Sequence, residues 1–468
     1  MTASTPLPPE AASVRKPANA REEGVDLVKL TGPLAVGALA EMAIGFTDTL
    51  MVGRLGSVEL AGVGITVNYF FTLLLTGMGA VSIVAVIAAE AHATNNSSGV
   101  ASAFRNGLWF ALLLGIPLTV ALWHVPELLV LFDQPADAVA VSREYLVTMT
   151  WALLPYLMFT VGRCFVSAVA RPRSVMIIAL LAIPTNAAIN YCTIFGNFGV
   201  PRMEVMGAGL GTAITNTLMM LAIFAEITRD KLFRIYRPFR DMLKIDLELL
   251  KRMTRLGVPI GGISGVESLF FTAIATMMGW IGTVALAANN IAGAVSSMVF
   301  MIPWAMSQAV SVRVSYGVGW RDPVAARRAG FVAIKIGMAY MATAAVVIWL
   351  FPETFISIFV DADDPQRAAV EDLGMHLLII AAVFQVVDGT QIIALGALRG
   401  LRDTHWPFII GTVGYGLTGL GSGYIFAFVF GWGALGLWWG VAMGLAAAAI
   451  LLTWRFHIRS RQLLLAAA

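Results

Sequence analysis

The sequence predicts an all-α integral membrane protein: twelve transmembrane helices in two homologous six-helix lobes. Three observations predict it. The chain is 58% hydrophobic and 13% charged, with a mean hydropathy of +0.80, whereas an ordinary soluble domain carries about 25% charge. Apolar stretches of the roughly 20 residues that cross a bilayer recur along its whole length. One pattern also occurs twice at a constant offset of 226 positions. Pro33, Glu41, Met51, Gly53, Gly56, Val58, Leu60 and Ala61 return as Pro259, Glu267, Met277, Gly279, Gly282, Val284, Leu286 and Ala287.

The first lobe takes the apolar stretches at about 31–53, 60–90, 106–124, 143–168, 174–195 and 206–226. The second takes those at about 256–280, 286–315, 330–351, 373–398, 407–428 and 434–455. In a bilayer each backbone must satisfy its own polar groups, so these are helices. The alternating segments of about ten residues that mark a barrel do not occur. Lys and Arg test the count. With both ends inside, the inner side holds Arg15, Lys16, Arg21, Lys29, Arg105, Arg171, Arg173, Arg313, Arg321, Arg327, Arg328, Arg399, Arg402, Arg455, Arg459 and Arg461. The outer loops keep only Arg54, Arg143, Arg202 and Arg367, with the acids Glu127, Asp133, Asp137, Glu353, Asp361, Asp363 and Asp364. An odd helix count would scramble this separation, which obeys the positive-inside rule.

Five segments follow: a disordered cytoplasmic tail over 1–29, the first lobe over 30–226, a cytoplasmic linker over 227–255, the second lobe over 256–456, and a cytoplasmic tail over 457–468. The linker is basic, and its stretch 241–250 has helical apolar spacing that suits the inner membrane surface. Six helices per half means that both halves enter from one side, as parallel repeats. Paired repeats in so apolar a chain point to a membrane transporter.

The formal net charge of +3 sits beside membrane, where it sets topology and meets anionic lipid, so nucleic acid is not an expected partner. Two cysteines, Cys164 and Cys192, give no disulfide framework. No GxxxxGK[ST], HExxH or CxxC motif occurs, which argues against ATP-driven transport by this chain and against those metal sites. His92, His124, His376, His405 and His457 scatter over different loops and ends, which disfavours a membrane-embedded enzyme. No cofactor is expected.

Charge within spans is costly and marks function. The candidates are Glu41, Asp48, Glu267, Asp388, Arg163 and Lys335. Counted from the inner helix ends, at about 1.5 Å per residue, Glu267 and Asp388 both lie roughly 16 Å deep. Two acids at one depth suit a bound cation or a shared proton. In the first half, Asn186 and Asn190 share one helix face near Pro184 and lie at a similar level to Asp48. A carboxylate with amide and carbonyl oxygens suits a hard cation, Na+ among them, or a proton. An interhelical hydrogen bond is the other role open to each of these groups. Arg163 and Lys335 lie close enough to helix ends to snorkel. Phe70, Phe71, Phe270, Phe271 and Trp304 are candidate lining for apolar cations, or ordinary lipid and packing contacts.

The combination resembles the multidrug and toxic compound extrusion (MATE) family, in its NorM-like branch. The resemblance rests on Gly45 to Gly53, Asn186 to Gly196, Glu267, and Asp388-Gly389-Thr390-Gln391 through Gly400, and it covers about 30–460. It implies two six-helix lobes in a V around a central cavity, in the bacterial inner membrane. It implies export of organic cations or amphipathic drugs by a monomer, in exchange for Na+ or H+. It ties Glu267 and Asp388 to cation coupling in the second lobe, and Asp48 with Asn186 and Asn190 to the first-lobe site. Glu41 departs from the family pattern, where an uncharged polar residue is expected, and is a candidate extra proton site. The alternative is a flippase for lipid-linked precursors on a related double repeat, which would require a cationic cavity.

Overall fold

The computed structural model describes residues 15–132, 134–359 and 366–467. The expected outer-loop acids Asp133, Asp361, Asp363 and Asp364 lie outside these, as do residues 1–14 of the expected tail. Among the described residues the chain is helical nearly throughout and contains no strand. Eleven helical stretches are long and apolar enough to cross a membrane. They include α1 (Ala20–Val52), α2 (Ser57–Val81, continued by Ile83–Ala93 past Ser82), α3 (Ser97–Trp123), α4 (Ala136–Ala168), α5 (Arg173–Phe195) and α6 (Glu204–Arg229). After the linker come α7 (Leu247–Ile281), α8 (Thr283–Gly319), α9 (Pro323–Leu350) and α10 (Arg367–Gly400).

The twelfth crossing, α11, is not a plain α-helix. It runs without a break from His405 to Val429 as α (His405–Thr412), π (Val413–Leu420), α (Gly421–Tyr424) and π (Ile425–Val429). The wide turns are visible in the bonds: the Gly421 amide donates to Gly416 O, and the Phe430 amide to Ile425 O at 2.9 Å. The last crossing, α12, is Gly433–Ala467. Among the described residues there are therefore twelve helical stretches that fit the expected crossings, six on each side of the linker.

The repeat is visible in the backbone. Gly56 caps α2 with φ +157° and Gly282 caps α8 with φ +151°, conformations that suit glycine. Asn96 accepts the Gly99 amide at the start of α3 and Asp322 accepts the Ala325 amide at the start of α9, both at 2.9 Å. These caps, too, stand at the 226-residue offset.

The chain forms two compact units. Unit 1 contains Gly32–Gly262, and unit 2 contains Lys16–Thr31 with Ile263 onward. The expected tail over 1–29 is thus corrected: it is helical from Ala20, and its helical start belongs to unit 2. The cause is a buried ion pair. Arg313 on α8 donates from Nε to Glu23 Oε1 at 2.7 Å and from Nη2 to Glu23 Oε2 at 2.8 Å. Glu23 is only 2% exposed, and an acid there is stable only when paired. Lys16 also pairs with Asp322, and Arg328 donates to Pro17 O at 2.6 Å. At the other end, α12 remains helical to Ala467, within the segment expected as a tail over 457–468, because no glycine or proline interrupts it there.

The linker is shorter than 227–255 and packs into unit 1. A turn of helix at Lys231–Arg234 carries Phe233 into the interior, and Tyr236 is buried against His92. Trp109 Nε1 donates to Met242 O at 2.9 Å, and the Asp246 amide donates to Asn106 Oδ1 at 2.9 Å. The helix expected over 241–250 is replaced by turns up to Asp246, which caps α7 through the Leu249 amide at 3.0 Å. These hydrogen bonds hold the backbone of 241–246 out of helical form.

Candidate functional site

Unit 1 gathers its polar centre from α1, α5 and α6. Asn186 and Asn190, one turn apart on α5, are both fully buried. Asn190 Nδ2 donates to Asp48 Oδ1 at 2.6 Å and lies 3.3 Å from Asn186 Oδ1. The Thr212 hydroxyl lies 3.0 Å from Asp48 Oδ2 and 3.1 Å from Ala208 O, so its single proton serves one of them at a time. Asn186 Nδ2 approaches Thr215 Oγ1 at 3.5 Å. Asn190 Oδ1 is buried with no hydrogen-bond partner.

Glycine makes this closeness possible. A side chain at Gly211 would occupy the place of Asn190 Oδ1. Gly207 lies tight against Thr193 O, and Gly209 against Thr148 Oγ1 and Tyr145 O. The run Gly207-Ala208-Gly209-Leu210-Gly211 is therefore a close-packing surface of small residues. One carboxylate, one unpartnered amide oxygen and a hydroxyl form an all-oxygen set suited to a hard cation. Thr212 and Thr215 escaped the sequence reading. Their signal was spacing: Thr212 stands three residues beyond Gly209 and Thr215 four beyond Gly211, so each shares a helix face with one of the glycines.

Unit 2 builds a different centre from α7, α10 and α11. Asp388 is 5% exposed, lies within electrostatic reach of Glu267, and leaves Oδ1 buried without a hydrogen-bond partner. The Tyr415 hydroxyl lies within electrostatic reach of Glu267, and Gln391 Nε2 donates to the Tyr415 oxygen. Gln391 Oε1 is likewise buried without a partner. Asp388 and Gln391, three residues apart, share a face of α10. Tyr415 stacks on Phe270 with centroids 5.5 Å apart. Gln391 and Tyr415 also escaped the sequence reading. Gln391 ends the Asp388-Gly389-Thr390-Gln391 stretch, whereas nothing in the local pattern singles out Tyr415.

Glu41 belongs to neither centre. Its Oε2 accepts from the Tyr156 hydroxyl at 2.6 Å, and its Oε1 lies 3.2 Å from Arg163 Nη1. Arg163 does not snorkel: it is 8% exposed and held inside by Glu41. Lys335 is exposed. Of the aromatic candidates, Phe70 is 2% exposed and packs edge-on to Phe71, whose ring is 45% exposed. Unit 2 repeats the arrangement with Phe270 buried and Phe271 exposed. Trp304 is partly exposed.

Comparison with known proteins fits this construction. The MatE family model matches twice, over residues 33–192 and 259–425, once in each half. The multidrug resistance protein NorM of Burkholderia vietnamiensis is 39% identical over 452 residues, 96% of this chain and 97% of that protein. The probable multidrug resistance protein NorM of Brucella suis biovar 1 is 38% identical over 440 residues, 93% of each. Among solved structures, the eukaryotic MATE transporter AtDTX14 superposes with a TM-score of 0.86 at 18% identity, covering 96% of this chain and all of that one. A MATE structure in the bent conformation gives 0.83 at 18% identity, covering 96% and 97%. With the family model present in both halves and NorM relatives matching over more than nine-tenths of the chain, the chain belongs to the multidrug and toxic compound extrusion (MATE) family, in its NorM-like branch.

Proposed function

We propose that this multi-pass membrane protein is a secondary active exporter of cationic and amphipathic drugs, driven by inward flow of Na+ or H+. The work is transport and not catalysis. The membrane is the bacterial inner membrane, with both termini cytoplasmic. The relatives named for multidrug resistance support the substrate class.

The observation that carries the coupling is the Glu267–Asp388 pair. Two carboxylates in one buried centre, one keeping an unpartnered oxygen, repel each other unless a cation or proton lies between them. Occupancy therefore changes the energy of that centre. If one facing state of the transporter holds the cation better, binding shifts the population toward it, and drug must favour the opposite state. Asp48 with Asn186 and Asn190 offers a second candidate centre in unit 1, built on a single carboxylate.

The test is ethidium efflux from proteoliposomes under an imposed Na+ or H+ gradient, comparing wild type with Glu267→Gln/Asp388→Asn. Efflux that follows one gradient and disappears in the double variant is the expected result, and the effective gradient names the ion. Unchanged gradient-driven efflux in the double variant would overturn the unit 2 coupling site.

A further inference from the structure

The geometry points to Tyr415 as a positioning residue for the acid pair, held in place by the π-helical backbone of α11. The inference rests on the reading of Glu267 and Asp388 as a coupling site and adds to it the group that orients that site.

Tyr415 is fully buried. Its hydroxyl stands between two groups: Gln391 Nε2 donates to the phenol oxygen, and Glu267 lies within electrostatic reach on the other side. A phenol has one proton to donate and an oxygen that accepts. With Gln391 supplying the donor from one side, the phenol proton is directed at the carboxylate. A phenol aimed in this way orients the carboxylate that the acid pair presents. The same arrangement fixes the Gln391 amide, and with it the unpartnered Gln391 Oε1 beside Asp388 on α10.

The backbone explains why Tyr415 is placed there. It lies in the first π stretch, Val413–Leu420. A π-turn holds more residues than an α-turn, so return to α geometry rotates every side chain within it. π-Turns are frequent at functional sites. Here the wide turns are held by glycine-to-glycine packing on α12. A Cβ at Gly444 would stand 2.7 Å from Gly419 Cα and 2.9 Å from Gly414 O. A Cβ at Gly440 would collide with Gly423 Cα. A Cβ at Gly419 would stand 2.8 Å from the Phe270 ring, on which Tyr415 stacks. The packing that holds the π backbone therefore also seats the tyrosine.

The test measures the dependence of ethidium efflux on coupling-cation concentration and on pH, with thermal unfolding in detergent as a fold control. Tyr415→Phe keeps the ring and its stacking but removes the hydroxyl. A hydrogen bond to a charged group accounts for a factor of about ten in an equilibrium. The midpoint of the cation or pH dependence is expected to move by about that factor, with efflux at saturating cation less affected. Gln391→Met removes the donor that aims the phenol and should move the midpoint the same way. Gly444→Ala touches neither acid but presses on the π stretch, and it should also move the midpoint. If Tyr415→Phe and Gln391→Met fold normally and keep the wild-type midpoint, Tyr415 does not position the pair. Should Tyr415→Phe not fold, Gln391→Met and Gly444→Ala decide alone: shifted midpoints support the role, wild-type midpoints overturn it. Failure of the underlying site looks different. In that case Glu267→Gln/Asp388→Asn retains cation-driven efflux, whatever Tyr415→Phe does.

Discussion

Glu41 and Glu267 occupy the same position of the two repeats, 226 residues apart, and face opposite chemistry. Each has a tyrosine hydroxyl near it: Tyr156 donates to Glu41, and Tyr415 lies within electrostatic reach of Glu267. Glu41 is then neutralised by Arg163 at 3.2 Å, whereas Glu267 faces a second acid, Asp388. An acid with a fixed arginine partner is already satisfied. An acid beside another acid is not, and a mobile cation can complete it. In unit 1 the acid without a charged partner is Asp48, seven positions further along α1, whose hydrogen-bond partners Asn190 and Thr212 are neutral.

Replacing Glu41 should therefore damage the fold more than the coupling. Glu41→Gln leaves the Arg163 charge inside unit 1 without its counter-ion, and breaking one side of a buried pair costs about 3–5 kcal/mol. The expected outcome is a lower unfolding temperature with an unchanged cation dependence of the remaining efflux. Glu41→Met combined with Arg163→Met should recover much of the lost stability. A shifted cation midpoint in Glu41→Gln would reinstate Glu41 as a proton site.

Glu23 is the same kind of residue in unit 2. Its two oxygens take both Arg313 donors, at 2.7 and 2.8 Å, in a bidentate pair. Glu23→Gln is expected to destabilise unit 2 by about 3–5 kcal/mol, read by chaotrope-induced unfolding in detergent. A variant as stable as wild type would mean that the pair adds nothing beyond its desolvation cost.

The twelve crossings, the repeat and the acids were all legible, because hydropathy and charge act over whole segments. Ser57–Ala93 reads as one span, and the break at Ser82 shifts no charge to the other side. Partners were less legible. Glu23 looked like a residue of a polar tail, since nothing near it in sequence announces Arg313, 290 positions away. Arg163 looked able to snorkel because depth along a helix does not say which face it occupies. Tyr415 depends on a π stretch, and its glycines read equally well as ordinary helix-packing glycines. Position along a helix was readable; the facing residue was not.

Asp322 offers a pH test outside the membrane. Its partial burial raises the carboxyl pKa, but the Lys16 ammonium and the Ala325 and Val324 amides outweigh this and hold it below the usual value. A depressed pKa contributes stability that is present above the ordinary carboxylate pKa and is lost as pH falls through the lowered value. Asp322→Asn retains an acceptor for the α9 cap and removes only the charge. The stability gap between wild type and Asp322→Asn should be largest near neutral pH and close as the solution is acidified below about pH 4. A gap independent of pH would assign the effect to the cap alone.

The unit 1 centre can be tested without touching any of its ligands. Gly211 has no role except to leave room, and a methyl group there would stand where Asn190 Oδ1 now lies. Asn190 cannot retreat easily: it is fully buried and already holds Asp48 and Asn186 at 2.6 and 3.3 Å. Gly211→Ala should therefore displace the amide and weaken its bond to Asp48, which for a charge-assisted bond corresponds to a factor of about ten in occupancy. The expected result is a cation dependence of efflux shifted in the same direction as that of Asn190→Ala. Gly209→Ala supplies the control. It strains the α4–α6 contact instead of the α5–α6 one, pressing on Thr148 Oγ1 and on Tyr145 O at 2.9 Å, and does not meet Asn190. If Gly209→Ala and Gly211→Ala lower stability alike and neither moves the midpoint, the Asn190 amide orders the helices and plays no part in coupling.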